Sequence, residues 1–472
     1  MTILSGEARI QFRLSMSLLA LAFLCSCSST PPTRSKDAAL SSWVVMGENG
    51  AGVVRSLTSA TQCPSLTQDG MTQKMTLRAA AEVAAQRKTA SATEDTKPSV
   101  FPIMTCEAVL KTGVKTASIE GSVLPLPKAT VNRIVVLGDT GCRMKKAENA
   151  YQACNDQAAW AFRDVSREAA RFQPDLVIHV GDYHYRENPC PEGNAGCAGS
   201  PWGYGYDVWA ADFFEPAAAL LKAAPWVMVR GNHESCMRAG QGYWRFLDPR
   251  PYVKGRDCNL EQNDLQGDYS APYGVMLGGD AQLIVFDSSK VPGKKLAKTD
   301  EAYVIYSAQF AEVDRITEAV DFNFFLNHHP ILGFSAGHAK DGSIEFRSGN
   351  QPLQQVMQDG HGDRLFPVKV RAAISGHTHL FEAVSFTSDH PTQFVSGNGG
   401  TAMDKRLPDL RPQDATPFDA AHVDYFSNSN EVGFLVMDRK GEAWQVQAYD
   451  RLAHKIASCS VSRSTSLCQP NP

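Results

Sequence analysis

Five short blocks of glycine and polar residues constrain the fold of this 472-residue chain more than any other feature. They are Gly138-Asp139-Thr140-Gly141, Gly181-Asp182-Tyr183-His184-Tyr185, Gly231-Asn232-His233-Glu234, Asn327-His328-His329-Pro330 and Gly376-His377-Thr378-His379. Each block follows an apolar stretch with the composition of a buried strand. Because ligands collect at the carboxyl ends of strands in α/β sheets, the pattern predicts that all five blocks converge on one site.

Alternating strand-like and helix-like patterns from Arg133 onward predict the fold class. Helical spacing extends over Asn155–Phe172 and over residues 207–223, between stretches that favour strands. From Val384 to Tyr449 the strands lack intervening helices, which favours antiparallel pairing. We therefore predict an α/β fold, an α+β sandwich in which helices flank central β-sheets.

Changes in composition predict how the chain divides. Short apolar stretches broken by turn residues predict a small β-rich N-terminal domain over residues 41–127. The five blocks place the main domain at 128–460, and a C-terminal tail is expected at 461–472. At the other end we predict a signal peptide at 1–26 and a polar tether at 27–40.

The N-terminal residues are typical of an export signal. Arg9 and Arg13 precede the short apolar run Met16–Leu24, which is too short for a permanent membrane span. The following Leu24-Cys25-Ser26-Cys27 resembles the lipobox of bacterial lipoproteins, which implies cleavage before Cys27 and a lipid on its thiol. The alternative is ordinary signal cleavage without a lipid. Either way we expect an exported protein, in the periplasm or on the outer membrane.

The cysteine count supports export. Apart from Cys25 and Cys27 the chain has ten cysteines, an even number that indicates disulfide bonds in an exported protein. Pairing of sequence neighbours would give 63–106, 142–154, 190–197, 236–258 and 459–468, a connectivity that the sequence leaves open. Metal ligation by cysteine is the competing interpretation, and the absence of CxxC pairs argues against it.

The net charge of the chain argues against nucleic acid as a binding partner. The formal net charge is −4, so the chain has no basic excess with which to neutralise a nucleic-acid backbone. We therefore expect a small phosphorylated substrate rather than nucleic acid, and contact with a membrane only through the N-terminal lipid.

Each block alone has a structural explanation, as a turn, a helix cap or a core histidine. Together the blocks supply two Asp, one Asn, one Tyr and three His at strand ends, which indicates a dinuclear metal centre. The order resembles the calcineurin-like metallophosphoesterases, and more narrowly the purple acid phosphatases, over about Arg133–Tyr449. The broad family has a His two residues after the first Asp, where this chain has Gly141. Purple acid phosphatases have Gly there and a Tyr three residues after the second Asp, as Asp182 and Tyr185 are spaced.

The resemblance implies two ligand sets with a shared carboxylate. The first metal would be bound by Asp139, Asp182, Tyr185 and His379, and the second by Asp182, Asn232, His328 and His377. The family pattern His-x-Pro selects His328, while His329 stays an alternative. Anionic oxygen donors favour Fe(III) at the first position, and the second set suits Zn, Mn or Fe(II).

The implied activity is acid-phosphatase-type hydrolysis of phosphate monoesters, in which a metal-bound hydroxide attacks phosphorus in line. The resemblance gives His233 a role in phosphate binding and proton transfer. His338 is expected to be either a proton donor or an ordinary loop residue. Glu234 either orients His233 from outside the ligand set or favours a helix start.

Two other functions stay open. One is a phosphodiesterase or nucleotide hydrolase on the same centre, and the other is a non-catalytic surface binding protein, which a degraded ligand set would indicate. The insertion Asn188–Tyr206 and the stretch Cys236–Cys258, which contains Arg238 and Arg245, are expected to frame the substrate pocket. Which arginine contacts phosphate is left open, and His184 is expected at the rim.

Overall fold

Two large β-sheets form the centre of the molecule. The computed structural model describes residues 39–338, 341–409 and 411–470. Numbered along the chain, the strands are β1 (Ala39–Met46), β2 (Gly52–Thr58), β3 (Ser65–Gln68), β4 (Met71–Lys74), β5 (Thr76–Ala79), β6 (Glu82–Ala84), β7 (Ser99–Phe101), β8 (Met104–Val109), β9 (Ala117–Ile119), β10 (Ser122–Val123), β11 (Arg133–Leu137), β12 (Met144–Lys145), β13 (Ala150–Tyr151), β14 (Leu176–His179), β15 (Trp226–Met228), β16 (Tyr273–Met276), β17 (Ala281–Val285), β18 (Phe322–Leu326), β19 (Ser335–His338), β20 (Ile344–Arg347), β21 (Val370–Ser375), β22 (Phe381–Phe386), β23 (Thr392–Ser396), β24 (Val423–Ser429), β25 (Gly433–Lys440), β26 (Ala443–Asp450), β27 (Lys455–Val461) and β28 (Ser466–Pro470).

The strand order places parallel strands in the middle of both sheets. The first sheet runs β28-β27-β26-β25-β11-β14-β15-β1-β2-β8-β5, and β11, β14 and β15 are parallel. The second sheet runs β16-β17-β18-β21-β23-β22-β24, and β17, β18, β21 and β23 are parallel. Antiparallel pairing predominates in the remainder of both sheets, including the predicted pairs within residues 384–449.

Side chains that alternate along each strand build a core on both faces of each sheet. Ile134 and Val136 of β11 point to the cluster between the sheets, where they join Phe324 and Leu326 of β18. Val135 and Leu137 point to the opposite cluster. The result is a sandwich with helices outside, which confirms the predicted fold class.

Helices cover the outer face of each sheet. They are α1 (Phe162–Arg171), α2 (Tyr206–Trp209), α3 (Ala218–Leu221), α4 (Gly240–Phe246), α5 (Asp264–Gly267), α6 (Glu301–Thr317) and α7 (Gln351–His361). The helix predicted from Asn155 begins only at Phe162, because Asp156 accepts a hydrogen bond from the Ala158 amide and Cys154 is joined to Cys142. The predicted helix over 207–223 consists of α2, a π-helical turn at Ala210–Phe214, and α3. None of the described helices is long and apolar enough to cross a membrane.

The strands of the N-terminal region continue the first sheet. Strand β1 lies beside β15 in parallel, and β2, β8 and β5 follow outward. A small sheet, β10-β9-β3-β4, packs against them through an apolar cluster that includes Val44, Val54 and Leu66. At the other edge β28 pairs with β27, within the segment expected to be a tail. The domain boundaries stay predictions, because a shared sheet does not show which segment folds alone.

The ten cysteines other than Cys25 and Cys27 form five disulfides, between the sequence neighbours 63–106, 142–154, 190–197, 236–258 and 459–468. Cys27 and the predicted signal peptide lie outside the described residues.

Candidate metal centre

The five blocks meet at the carboxyl ends of five parallel strands. Those with Asp139, Asp182 and Asn232 follow β11, β14 and β15 of the first sheet. Those with His328 and with His377 and His379 follow β18 and β21 of the second sheet. The seven predicted ligands therefore lie together where the two sheets face each other, as the polar loops at strand ends indicated.

The Tyr185 hydroxyl lies at the middle of the first predicted ligand set. It lies 2.7 Å from Asp139 Oδ1, 2.9 Å from Asp182 Oδ2 and 2.9 Å from His379 Nε2. Asp139 and Tyr185 are fully buried. Three donor atoms thus surround the buried Tyr185 hydroxyl, so the four predicted ligands of the first set are in mutual contact.

The second predicted set is equally close but more open. Asn232 Oδ1 lies 3.0 Å from His328 Nε2 and 2.9 Å from His377 Nδ1. Asp182 Oδ2, which contacts Tyr185, lies 3.2 Å from His328 Nε2. Ligand atoms of Asp182, His328 and His377 come within 4.8 Å of one another, and His377 is exposed. Asp182 is therefore placed between the two sets, as a bridging carboxylate requires.

Backbone carbonyls orient two of the histidines. His328 Nδ1 lies 2.9 Å from the Val180 carbonyl and His379 Nδ1 lies 2.9 Å from the Ala402 carbonyl. If Nδ1–H of His328 donates to the Val180 carbonyl, its Nε2 keeps a lone pair that points at the other donors. His379 Nδ1 has a second neighbour, since Arg143 Nη1 lies 3.2 Å from it.

His329 has a different surrounding. Its Nδ1 lies 3.1 Å from Ser288 Oγ, and its ring packs on His377 with the ring centroids 4.2 Å apart. Ser288 Oγ also accepts the backbone amides of His328 and His329, so its proton is free to be donated to His329 Nδ1. These contacts favour His328 as the ligand and His329 as its support.

The charges of the donor set fit cations. Burial raises the pKa of Asp139 well above its usual range, and burial followed by repulsion from Asp139 does the same for Tyr185. Burial lowers the pKa of His328, but attraction to Asp182 outweighs it and raises that pKa to about 9. Raised pKa values mean that the ionised forms of Asp139 and Tyr185 are unfavourable in this buried place on their own. Two metal ions would stabilise those ionised forms, so the donor set is suited to binding them.

Three residues of the centre have left-handed backbone conformations, which residues other than glycine rarely adopt. Asp139, Asp182 and His377 have φ angles of 56°, 59° and 70°. Such residues cost on the order of 1–3 kcal/mol each and cluster at functional sites. At Gly141 a Cβ would lie 2.8 Å from the Tyr183 carbonyl and the Tyr185 amide, so the His of the broad family does not fit here.

Glu234 is buried and holds the second block by its backbone. Its carboxylate accepts the amides of Asp182 at 3.0 Å, Tyr183 at 2.9 Å and Gly231 at 3.1 Å. The bond to Gly231 caps the turn Asn232–Glu234, in line with the predicted helix start. All three of these bonds come from backbone amides. The carboxylate that lies beside the His233 ring belongs to a different residue.

That residue is Glu187, which the sequence analysis missed. Glu187 Oε1 lies 3.2 Å from His233 Nδ1 and 3.4 Å from Arg238 Nε. Burial and then Arg238 lower the pKa of His233 to about 4. Burial raises the pKa of Glu187, but His233 and Arg238 outweigh it and bring it to about 2. At neutral pH the charged pair is thus Glu187 with Arg238, beside a neutral His233. The one signal in the sequence is an acidic residue at the end of the second block.

Other predicted positions have mixed outcomes. His184 is not a rim residue, because it is fully buried, with Nε2 2.7 Å from the Gly203 carbonyl. Arg245 is buried away from the pocket and bonds Glu82 and the Ala80 carbonyl. His338 ends β19, where it pairs with Ile344, and its role stays a prediction.

A cavity of about 220 Å³ lies beside the second ligand set. His329, Phe334, Ser335, Asn350, His377 and Asp404 are among its lining residues. Ser335 begins β19, so the β19–β20 hairpin starts at the cavity wall.

Comparison with known proteins agrees with this geometry. Residues 132–381 match the family model of calcineurin-like phosphoesterases. The fold is similar to a purple acid phosphatase from yellow lupin (Lupinus luteus) seeds, with a TM-score of 0.56, 15% identity, and coverage of 90% of this chain and 74% of that one. It is also similar to PhoD, with a TM-score of 0.52, 12% identity and coverage of 94% of both chains. No curated protein matches the sequence.

Proposed function

Because the chain belongs to the calcineurin-like phosphoesterase family, we propose that it hydrolyses phosphate monoesters as a metal-dependent phosphatase of the purple acid type. The observation that carries the proposal is the Asp182 carboxylate, which lies between Tyr185 on one side and His328 on the other. A shared carboxylate within a full set of donors is what a two-metal centre needs. A non-catalytic surface protein would have no use for this set.

The donor chemistry supports a proposal for the two metals. Carboxylate and phenolate oxygens of Asp139, Asp182 and Tyr185 suit Fe(III), and the imidazoles and amide oxygen of His328, His377 and Asn232 suit a divalent Zn, Mn or Fe(II). When bound, two such ions supply charge stabilisation at phosphorus and an activated water.

The protein residues around the donors hold the substrate and move protons. His233 lies beside the centre, with its ring centroid 4.1 Å from that of Tyr185. His233 Nδ1 lies 3.2 Å from Glu187 Oε1, and Nε2 lies 3.9 Å from Asp182 Oδ2, so Nε2 faces the centre, where it would contact the phosphoryl group. The family resemblance also gives His233 a part in proton transfer. We retain His338 as an alternative proton donor, since its strand begins at the cavity.

The size of the cavity supports a small leaving group. Its volume of about 220 Å³ lies below the roughly 300–1,000 Å³ typical of sites for drug-sized ligands. The cavity has room for a compact alcohol, the leaving group of a small monoester.

Turnover of 4-nitrophenyl phosphate compared with bis(4-nitrophenyl) phosphate tests the proposal. We expect the higher kcat/KM for the monoester. A preference for the diester would overturn monoester specificity while leaving the metal centre intact.

The compartment is also a proposal. Five disulfides favour an oxidising, exported environment. We propose that a lipid on Cys27 anchors the enzyme in the periplasm or at the outer membrane, and mass spectrometry of the mature N-terminus would test this.

A further inference from the structure

We propose that Arg238 binds a terminal oxygen of the substrate's phosphoryl group and thereby sets the preference for monoesters over diesters. The inference rests on the proposed function, which it deepens by naming the residue that distinguishes the two substrate classes.

The first argument is the position of Arg238. Its Nε lies 3.4 Å from Glu187 Oε1, and the same oxygen lies 3.2 Å from His233 Nδ1. One carboxylate oxygen therefore lies between Arg238 and His233, within ion-pair distance of both. The Arg238 side chain is 16% exposed, so it is largely withdrawn from water but still reachable.

The second argument is an unsatisfied donor. Arg238 Nη1 is buried and has no hydrogen-bond partner among the described residues. A buried guanidinium nitrogen without an acceptor is unfavourable, and a phosphoryl oxygen would supply the missing acceptor in a strong charge-assisted bond.

The third argument is the contrast with the other arginines near the centre. Arg186 is committed to Asp212 at 2.6 Å, and Arg143 pairs with Glu148 through Nη2 while its Nη1 lies 3.2 Å from His379 Nδ1. Arg245 bonds Glu82 and the Ala80 carbonyl, away from the pocket. Arg238 combines closeness to His233 with a free nitrogen, which resolves the choice that the sequence left open.

The N-terminal region holds the segment that carries Arg238. The Ala90 amide donates to the Met237 carbonyl at 2.9 Å, and Cys236 is joined to Cys258. Arg87 bonds Asp264 and the Cys258 carbonyl from the same N-terminal segment. The guanidinium is therefore fixed before substrate arrives, which reduces the entropy lost on binding.

The chemistry of the two ester classes supplies the specificity. A phosphate monoester has three terminal oxygens and about −1.5 to −2 charge at pH 7, because its second pKa is near 6. A diester has two terminal oxygens and a single charge. The additional oxygen and charge of the monoester are what Arg238 can recognise.

The experiment measures kcat/KM of Arg238→Gln and wild type for 4-nitrophenyl phosphate and bis(4-nitrophenyl) phosphate. Loss of one charge-assisted bond should lower the monoester value by about 10- to 100-fold. The diester value should change by less than about threefold, since that bond is not made. Arg238→Lys, which keeps the charge but loses the planar fork, should lie between the two. Arg167→Gln is the matched control, because Arg167 is an exposed residue of α1 that pairs with Asp164.

Orthophosphate provides a readout that does not need turnover. It should raise the Tm of the metal-loaded wild type, and a higher phosphate concentration should be required for Arg238→Gln. An equal fall of both esters, or unchanged phosphate protection, would overturn the role of Arg238. A metal-loaded wild type that cleaves neither ester would overturn the proposed function instead, and the Tm comparison would still decide whether Arg238 binds phosphate.

Discussion

The two sides of the centre are built differently. On the side of the first sheet, Glu187 lies between His233 and Arg238, and its pKa is about 2. On the side of the second sheet, the Phe334 amide of the loop before β19 donates a hydrogen bond to the Glu382 carboxylate at 2.9 Å. Burial raises the pKa of Glu382 to about 8, and that amide is the opposing influence.

The contrast indicates a division of labour. Charges on the first side are paired and positioned, as binding of a doubly charged phosphoryl group requires. The second side has a cavity and a buried carboxyl for which the described part of the chain supplies no cationic partner, which suits an uncharged leaving group. Asp182 lies between the two, where it would be the shared ligand of the proposed centre.

Removing the shared ligand should have the largest effect. Asp182→Asn should lose both metals and lower kcat by about 10³-fold or more, because charge stabilisation at phosphorus disappears. Asp341→Asn, on the exposed β19–β20 turn, is the control and should keep full activity. An Asp182→Asn protein that still binds both metals and stays active would contradict the role of Asp182 as the ligand shared by the two sides.

Changing only the first side should remove the iron signature. Tyr185→Phe should abolish the violet phenolate–Fe(III) absorption that the family resemblance implies, and lower kcat on the order of 10²-fold. Tyr183→Phe is the matched control, since the Tyr183 hydroxyl donates to the Val229 carbonyl at 2.9 Å rather than to a predicted ligand. A colourless, fully active wild type would refute the iron assignment but not phosphatase activity.

Filling the cavity should affect only the leaving group. Ser348 lines the cavity and is exposed, so Ser348→Trp should lower kcat/KM for a naphthyl ester by about 10-fold relative to a small alkyl ester. Ser343→Trp on the neighbouring turn should leave that ratio unchanged. An equal loss for both esters would show that the leaving group lies elsewhere.

The smallest effect is expected from the pH dependence of Glu382. Its folded-state pKa of about 8 lies above the usual value of 4.5, so its contribution to stability is complete below pH 4.5 and is lost as pH rises through 8. Glu382→Gln stays neutral and should be more stable than wild type by a few °C in Tm at pH 9, but not at pH 4.5. Parallel Tm curves for the two proteins from pH 4.5 to 9 would contradict an uncompensated carboxyl.

The local sequence pattern, an apolar strand followed by polar residues, was sufficient to predict the parts of the site that lie at strand ends. Asp139, Asp182 and His328 each directly follow or nearly follow an apolar strand, so their convergence followed from the alternation of elements. Gly141 could be assigned by resemblance, and the structure adds the steric reason.

Long-range contacts could not be predicted in this way. Glu187 contacts His233 from 46 positions away in the chain, and Ala90 supports Met237 from still farther. Nothing in the spacing of these residues indicates such pairs, because tertiary packing alone brings them together. At Ala210–Phe214, where the predicted helix is broken, Phe213 and Phe214 likewise pack in the apolar cluster that contains Val135 and Leu137.

Elemental analysis of the purified wild-type protein tests the central claim most directly. A centre shared through Asp182 predicts about two metal ions per chain, one of them iron, and loss of both in Asp182→Asn. Fewer than one ion per wild-type chain, or full metal content in the Asp182→Asn protein, would contradict the account.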